Sequence, residues 1–441
     1  MPQNTYYIET YGCQMNDHDS EKMSSLLDEI GMAEVYSPEE AEVIILNTCS
    51  IREKAEHKVY SALGRLKALK ARNPHIVTVV AGCVAQQQKE KLLKKADHLD
   101  AVLGTHCIAD LPDVVQTVRK KRRRLNRTEF HPEAPSLHIL APAKGPSPVR
   151  SYVTIMQGCS NFCSYCVVPF TRGPEQSRPP DRIVAEVQEL GSKGIREITL
   201  LGQNVNAYGK DLSDATTFAE LLRELDSVQE LSRIRFTTSH PRDFNEDLIA
   251  AMADLATVCE HIHLPLQSGS DDVLHAMRRG YTCAEYLHKV RKLRDRIPRV
   301  AVTADIIVGF PGETEDDFQQ TLMALQEIRF DQIFSFKFSP RPGTAASKLE
   351  DQVPEEVKVR RLAEVHTLQD RVTGDYHRAA EGTVEEVLIE GIRPDTDQAF
   401  GRSRTNKIVN LDSSRVVRIG DTIPVKILRG LKHSLTGEPL L

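Results

Sequence analysis

Strand-like and helix-like runs alternate along most of this 441-residue chain, which restricts it to parallel sheets joined by helical crossovers. TYYIETYG (5–12), EVIILNT (42–48), IVTVVAG (76–82) and AVLGT (101–105) are rich in β-branched and aromatic residues, as strands are. SEKMSSLLDEIG, KAEHKVYSALGRLKALKARN and IADLPDVVQTVRK space their apolar residues at helical intervals. A second series begins near residue 150, with strand candidates at 152–158, 197–203, 234–239, 261–267, 302–310 and 331–338. Six such units fit a partial barrel better than a closed barrel of about eight. From about 380 the pattern changes. EEVLIEGI, QAFGRSR, KIVNLD and TIPVKILRG are short runs split by turn residues, which predicts a small antiparallel β-barrel of OB-like type. The expected fold is α/β: an N-terminal parallel-sheet domain at 1–124, a linker at 125–144, a partial (β/α)6 barrel at 145–378 and a small β-barrel at 379–441.

Composition removes several function classes. The 57 Lys and Arg nearly balance the 62 Asp and Glu, leaving −5, so no global field draws in nucleic acid. No apolar run reaches the ~18 residues of a membrane span. The start, MPQNTYYIETYGC, has no basic stretch leading into an apolar one, so we expect no secretory leader and a cytoplasmic protein. Nine cysteines in a reducing compartment are then buried apolar groups or ligands rather than disulfides.

Their positions divide them. Cys159, Cys163 and Cys166 form C-x3-C-x2-C directly after a strand candidate, in the first loop of the partial barrel. Three close thiolates can wrap one corner of a [4Fe–4S] cluster and leave one iron without a protein ligand. A structural zinc site would need a fourth Cys or His, and none follows at finger-like spacing. Cys13, Cys49 and Cys83 each follow a strand candidate and lie 36 and 34 residues apart, about one βα unit each. Equivalent positions after successive parallel strands meet at the C-terminal edge of the sheet, so these three predict a second iron–sulfur site. Cys107 lies near the same edge, where a fourth ligand is the alternative, and is read as a lone thiol. Cys259 and Cys283 are read as core or surface thiols.

C-x3-C-x2-C with Tyr165 before its last cysteine, opening a βα barrel, resembles the radical S-adenosylmethionine superfamily. Adding YGCQMN (11–16), NTCSIREKA (47–55), AGCVAQ (81–86) and GCSNFCSYCVVPFTRG (158–173), the whole chain is similar to the methylthiotransferase family, with its three-cysteine domain, radical core and TRAM domain. YGCQMNDHDSEKM and CVVPFTRG favour the branch acting on isopentenyladenosine in tRNA over those acting on threonylcarbamoyladenosine or a ribosomal-protein aspartate. Cys107 departs from the family pattern.

The resemblance implies methylthiolation of C2 of N6-(dimethylallyl)adenosine at position 37 of tRNA. It implies two [4Fe–4S] clusters, with Cys13, Cys49 and Cys83 on the sulfur-donating one and Cys159, Cys163 and Cys166 on the cleaving one. S-adenosylmethionine would then serve as methyl donor and as radical source. DIIVGFPGE (305–313) looks like the superfamily's cofactor-binding glycine element, and LPLQSGS (264–270) sits where another cofactor contact is made. Tyr165, Gln267, Gly309, Pro311, Gly312 and Glu313 are the cofactor-binding candidates. Implied partners are the tRNA, a flavodoxin-type electron donor and iron–sulfur assembly or sulfur-supplying proteins, with no membrane. Adenine C2–H is neither acidic nor electrophilic, so radical chemistry suits it and no catalytic acid, base or nucleophile is called for.

Local basic charge supports RNA binding: Arg119–Arg124, MRRGYTC (277–283) and, in the tail, Phe400 with Arg402, Arg404 and Lys407 on one expected edge. HIH (261–263) reads as a barrel strand rather than a metal site. SHPRD (239–243), after a strand, is a plausible substrate contact. The alternative from another class is a non-catalytic iron–sulfur protein that binds RNA or carries electrons; electron carriers, however, usually close their clusters with four cysteines.

Overall fold

The computed structural model describes residues 4–50, 53–132, 135–140, 148–411 and 417–440, with backbone alone at 53–57. The N-terminal sheet contains β1 (Thr5–Tyr11), β2 (Ala33–Glu34), β3 (Val43–Thr48), β4 (Val77–Gly82), β5 (Ala101–Leu103) and β6 (Leu125–Arg127), in the order β2-β1-β3-β4-β5-β6. Every pair is parallel. β3 and β4 are buried on both faces, which is why they read as continuous apolar runs rather than alternating ones. Helices cover both sides and form two separate apolar cores.

β6 lies inside the segment expected to be linker. It extends the sheet, and Lys22 of the helix Gln14–Glu29 donates to the Ser136 carbonyl beyond it at 2.9 Å. Expected linker residues 141–144 lie outside the described residues.

The central part has six parallel strands: β7 (Arg150–Thr154), β10 (Glu197–Leu201), β11 (Arg233–Phe236), β12 (His261–His263), β13 (Ala301–Val308) and β14 (Gln332–Lys337). They form two three-stranded sheets, β7-β10-β11 and β12-β13-β14, joined by a bridge from Ile234 to Val258. Short β8 (Met156–Gln157) and β9 (Gln176–Ser177) pair beside β7. The expected strand at 261–267 stops at His263 because Pro265 has no N–H for the ladder; pairing resumes at Gln267 opposite Ile306. The partial barrel encloses the largest apolar core.

A long helix, Glu355–Ala379, leads to the closed barrel of β15 (Val384–Arg393), β16 (Gln398–Ser403), β17 (Ile408–Leu411), β18 (Thr422–Gly430) and β19 (Leu435–Pro439). The barrel is not wholly antiparallel, because β17 and β19 pair in parallel. β19 was missing from the sequence reading, since LTGEP carries two strand-breaking residues.

Buried charges fasten this barrel to the core. Arg233, fully buried, donates to the carbonyls of Arg402 and Glu386 and to the Glu386 carboxylate at 2.6, 3.0 and 2.9 Å. Arg235 donates to the carbonyls of Arg404 and Ser403, both at 2.8 Å. The tail cations expected to meet RNA are partly buried and ion-paired within the chain. Arg402 pairs with Glu390 at 3.2 Å, Arg404 with Glu260 at 2.7 Å and Lys407 with Asp331 at 2.9 Å. Glu390 of β15 claims the first, and Glu260 and Asp331 of the core claim the other two.

Candidate functional site

The sheet register brings the first cysteine set together. Tyr11 pairs with Thr48, and Thr48 with Gly82, so Cys49 and Cys83 share one row at the C-terminal edge and Cys13 stands just past it. Gly82 has φ +88°, and a Cβ there would overlap the Asn47 side chain. Asn16 and Asn47 clasp each other below the thiols: Asn47 donates to the Asn16 carbonyl at 2.8 Å, and Asn16 donates to the Asn47 amide oxygen at 3.2 Å. The Cys13 thiol is pulled down to about 6, first by its hydrogen bond with Cys49 and then, against burial, by the Arg172 guanidinium and the amides opening the Gln14–Glu29 helix. Burial pushes Cys83 up, and Arg172 opposes that shift.

Arg172 comes from the other cysteine segment. After Cys159, Cys163 and Cys166, the chain makes one short helix (Val168–Thr171) and runs back to the N-terminal sheet. There Thr105 donates to the Thr171 carbonyl at 2.6 Å, and His106 contacts the Arg172 carbonyl at 2.9 Å. Arg172 then reaches Asp19 at 2.6 Å, beside Cys13 and Cys83. From the opposite side, Cys13 and Met15 pack on Tyr152 and Leu201 at the C-terminal end of the partial barrel. One segment, 158–173, therefore serves both triads.

The core triad is held from below. Cys159 donates its N–H to the Gly173 carbonyl at 3.1 Å, pinching the loop shut. Gly158 (φ +84°) allows this, since a Cβ there would overlap the Pro174 carbonyl. Arg279, buried, donates to Cys163 Sγ at 3.5 Å, to Tyr165 at 3.5 Å and to the Pro265 carbonyl at 3.1 Å. Burial raises Cys159 to about 11, and burial with Cys163 nearby raises Cys166 to about 12. Each set is three thiols without a disulfide. Cys107 is engaged with Glu129 and His131. These donor sets fit iron–sulfur clusters that keep one iron open.

Beyond the ends of β7, β10, β11 and β12, four buried polar atoms have no hydrogen-bond partner among the described residues: Gln157 Nε2, Asn204 Oδ1, Ser239 Oγ and Gln267 Oε1. Buried polar groups are costly unless something completes them, and a ligand with amino, carboxylate and hydroxyl groups fits this set. Among the expected cofactor residues, Tyr165 packs against Phe310, Phe338 and Met277, and Gln267 lies in the left-handed region at φ +74°. Gly309 and Arg361 both donate to Glu313 Oε2 at 2.6 Å, so Glu313 shapes the loop carrying Pro311 and Gly312. His261 is buried and His263 pairs with Thr303 at 3.0 Å; among the described residues they join no group of three or more metal-ligand side chains. SHPRD lies beside the cluster loop, where Arg242 donates to Asn161.

Two residues that no sequence pattern singles out are Phe162, between Cys159 and Cys163, and Phe170, just past Cys166. They are about half exposed and meet edge to face at 6.4 Å. Phe162 lies at φ +47°. Exposed aromatics beside a reactive loop offer a stacking surface for a base.

Family comparisons match three segments of the chain. Residues 5–104 match the uncharacterized protein family UPF0004, 153–325 the radical SAM superfamily, and 378–440 the TRAM domain. A protein of Syntrophus aciditrophicus, named tRNA-2-methylthio-N(6)-dimethylallyladenosine synthase, is 49% identical over 98% of this chain and 94% of its own. One of Carboxydothermus hydrogenoformans with the same name is 47% identical over 99% of both. Among solved structures, the radical S-adenosylmethionine methyltransferase TsrM from Kitasatospora setae matches with a TM-score of 0.58 at 14% identity, over 79% of this chain and 77% of its own. The cobalamin-dependent radical enzyme OxsB matches at 0.53 and 12%, over 83% of this chain and 56% of its own. These two likenesses concern the fold.

Proposed function

Because this chain belongs to the methylthiotransferase family of radical S-adenosylmethionine enzymes, we propose that it methylthiolates C2 of N6-(dimethylallyl)adenosine at position 37 of tRNA. The observation that carries this reading is the sharing of segment 158–173 by the two triads. Sulfur insertion at an unactivated C–H needs a radical source and a sulfur source facing one substrate, and a common segment keeps them in register.

Cys159, Cys163 and Cys166 hold one [4Fe–4S] cluster, and Cys13, Cys49 and Cys83 the other. S-adenosylmethionine, when bound, supplies hydrogen-atom abstraction and a methyl group. The remaining work belongs to the chain. Gln267, with Tyr165 and the Gly309–Glu313 loop, orients the cofactor. The apolar group of Tyr165, Phe310, Phe338 and Met277 excludes water from the cluster loop. Arg279 and Arg172 place fixed positive charge beside the two thiolate sets. Phe162 and Phe170 meet the RNA. A flavodoxin-type donor and a sulfur-supplying assembly protein serve the enzyme in the cytoplasm. No helix among the described residues is long and apolar enough to cross a membrane.

The test is anaerobic reconstitution, reduction with S-adenosylmethionine, and nucleoside mass spectrometry of tRNA carrying dimethylallyladenosine. The expected products are 5′-deoxyadenosine and the 2-methylthio nucleoside. Absence of 5′-deoxyadenosine, or cofactor cleavage with the tRNA unchanged, overturns the reading.

A further inference from the structure

We propose that Cys107, Asp110 and His131 form a site for one zinc-class divalent cation, separate from both cysteine triads. β5 and β6 are neighbours in register, Ala101 opposite Leu125 and Leu103 opposite Arg127, so the segments leaving their C-terminal ends run side by side. Cys107 and Asp110 flank the turn after β5, and His131 follows β6. Cys107 Sγ lies 3.6 Å from His131 Nε2, and one ligand atom from each of the three residues lies within 4.8 Å of the others. Glu129 adds a carboxylate oxygen 3.8 Å from the sulfur.

These distances suit a metal site. In tetrahedral zinc sites, bonds of about 2.3 Å to sulfur and about 2.0 Å to nitrogen put S and N roughly 3.5 Å apart. The Cys107–His131 pair already has that separation. Asp110 offers a third ligand atom, and Glu129 or water would complete the shell. A thiolate and an imidazole select zinc-like ions over magnesium or calcium. Among the described residues, neither Asp110 nor Glu129 has a lysine or arginine in ion-pair contact, so no side-chain cation competes for the site.

The site adjoins the segment shared by the triads. His106 lies between the carbonyls of His131 and Arg172, at 3.3 and 2.9 Å, with Phe130 edge to face on its ring at 4.9 Å. A cation joining Cys107 to His131 would brace the support under Arg172.

The test is elemental analysis of the reconstituted full chain after incubation with zinc chloride and desalting. Wild type should hold about one zinc per chain beside its iron. Cys107→Ser and His131→Ala should each lose zinc and keep iron, Asp110→Asn should bind it more weakly, and Cys13→Ala/Cys49→Ala/Cys83→Ala should keep it. Chelation should lower the melting temperature of wild type and leave that of His131→Ala unmoved. Wild type that takes up no stoichiometric zinc, or zinc retained by both Cys107→Ser and His131→Ala, overturns the proposal.

Discussion

The Arg172 guanidinium meets the Asp19 carboxylate at 2.6 Å, with 3% and 4% of the two side chains exposed. One partner belongs to the segment after the core triad and the other to the first helix of the chain. Removing one side of a buried pair strands the other charge, at a cost of about 3–5 kcal/mol. Arg172→Met and Asp19→Asn should therefore each lower stability by that order. Arg172→Met should also lose about four irons per chain, those on Cys13, Cys49 and Cys83. Iron analysis and thermal unfolding measure both effects; a fully loaded, wild-type-stable Arg172→Met would refute this role.

Phe162 and Phe170 make no core. Replacing both with Ala should leave uncoupled cleavage of S-adenosylmethionine unchanged and weaken tRNA binding by about 1–3 kcal/mol, the worth of one stacked base. Filter binding beside a 5′-deoxyadenosine assay separates the two effects. Equal tRNA affinity in the double variant would rule stacking out.

Gln267 buries an oxygen with no partner among the described residues. Gln267→Leu removes that unpaired atom, so stability should hold or rise slightly. S-adenosylmethionine affinity should fall by roughly tenfold, about 1.4 kcal/mol. Isothermal titration and melting of one sample check both; a matching loss of stability and affinity would mean that Gln267 serves the fold alone.

Three arginines surround Glu197. Burial opposes its charge, but Arg235, Arg150 and Arg233 hold the carboxyl below its ordinary value. A depressed carboxyl contributes stability above the unfolded value near 4.3 and loses it as pH falls through the folded one. Glu197→Gln should cost about 3–5 kcal/mol at pH 7, and its gap from wild type should close below about pH 4. Melting temperatures across that range provide the check, and a gap that stays constant with pH would remove Glu197 as its source.

Much of the site was legible because it follows phase. Cys13, Cys49 and Cys83 stand at matching points of successive βα units, and parallel pairing aligns such points. Cys159, Cys163 and Cys166 were legible as a local spacing. Arg172 lies in CVVPFTRG, yet nothing near it announces that its partner is Asp19, 153 residues earlier. The ion-pair partners of Arg402, Arg404 and Lys407 were hidden in the same way: Glu390 comes from the neighbouring strand of the barrel, and Glu260 and Asp331 from the core. β6 escaped because three strand residues sit among prolines and charges.

Because Arg172 completes a charge set begun by Asp19, the unit that recombination could move intact differs from the unit that folds as a sheet. A transplanted N-terminal sheet would carry Cys13, Cys49 and Cys83 but leave behind the buried guanidinium that acts on Cys13 and Cys83. Shuffling this module onto another radical core would succeed only where the recipient's loop ends in an equivalent arginine.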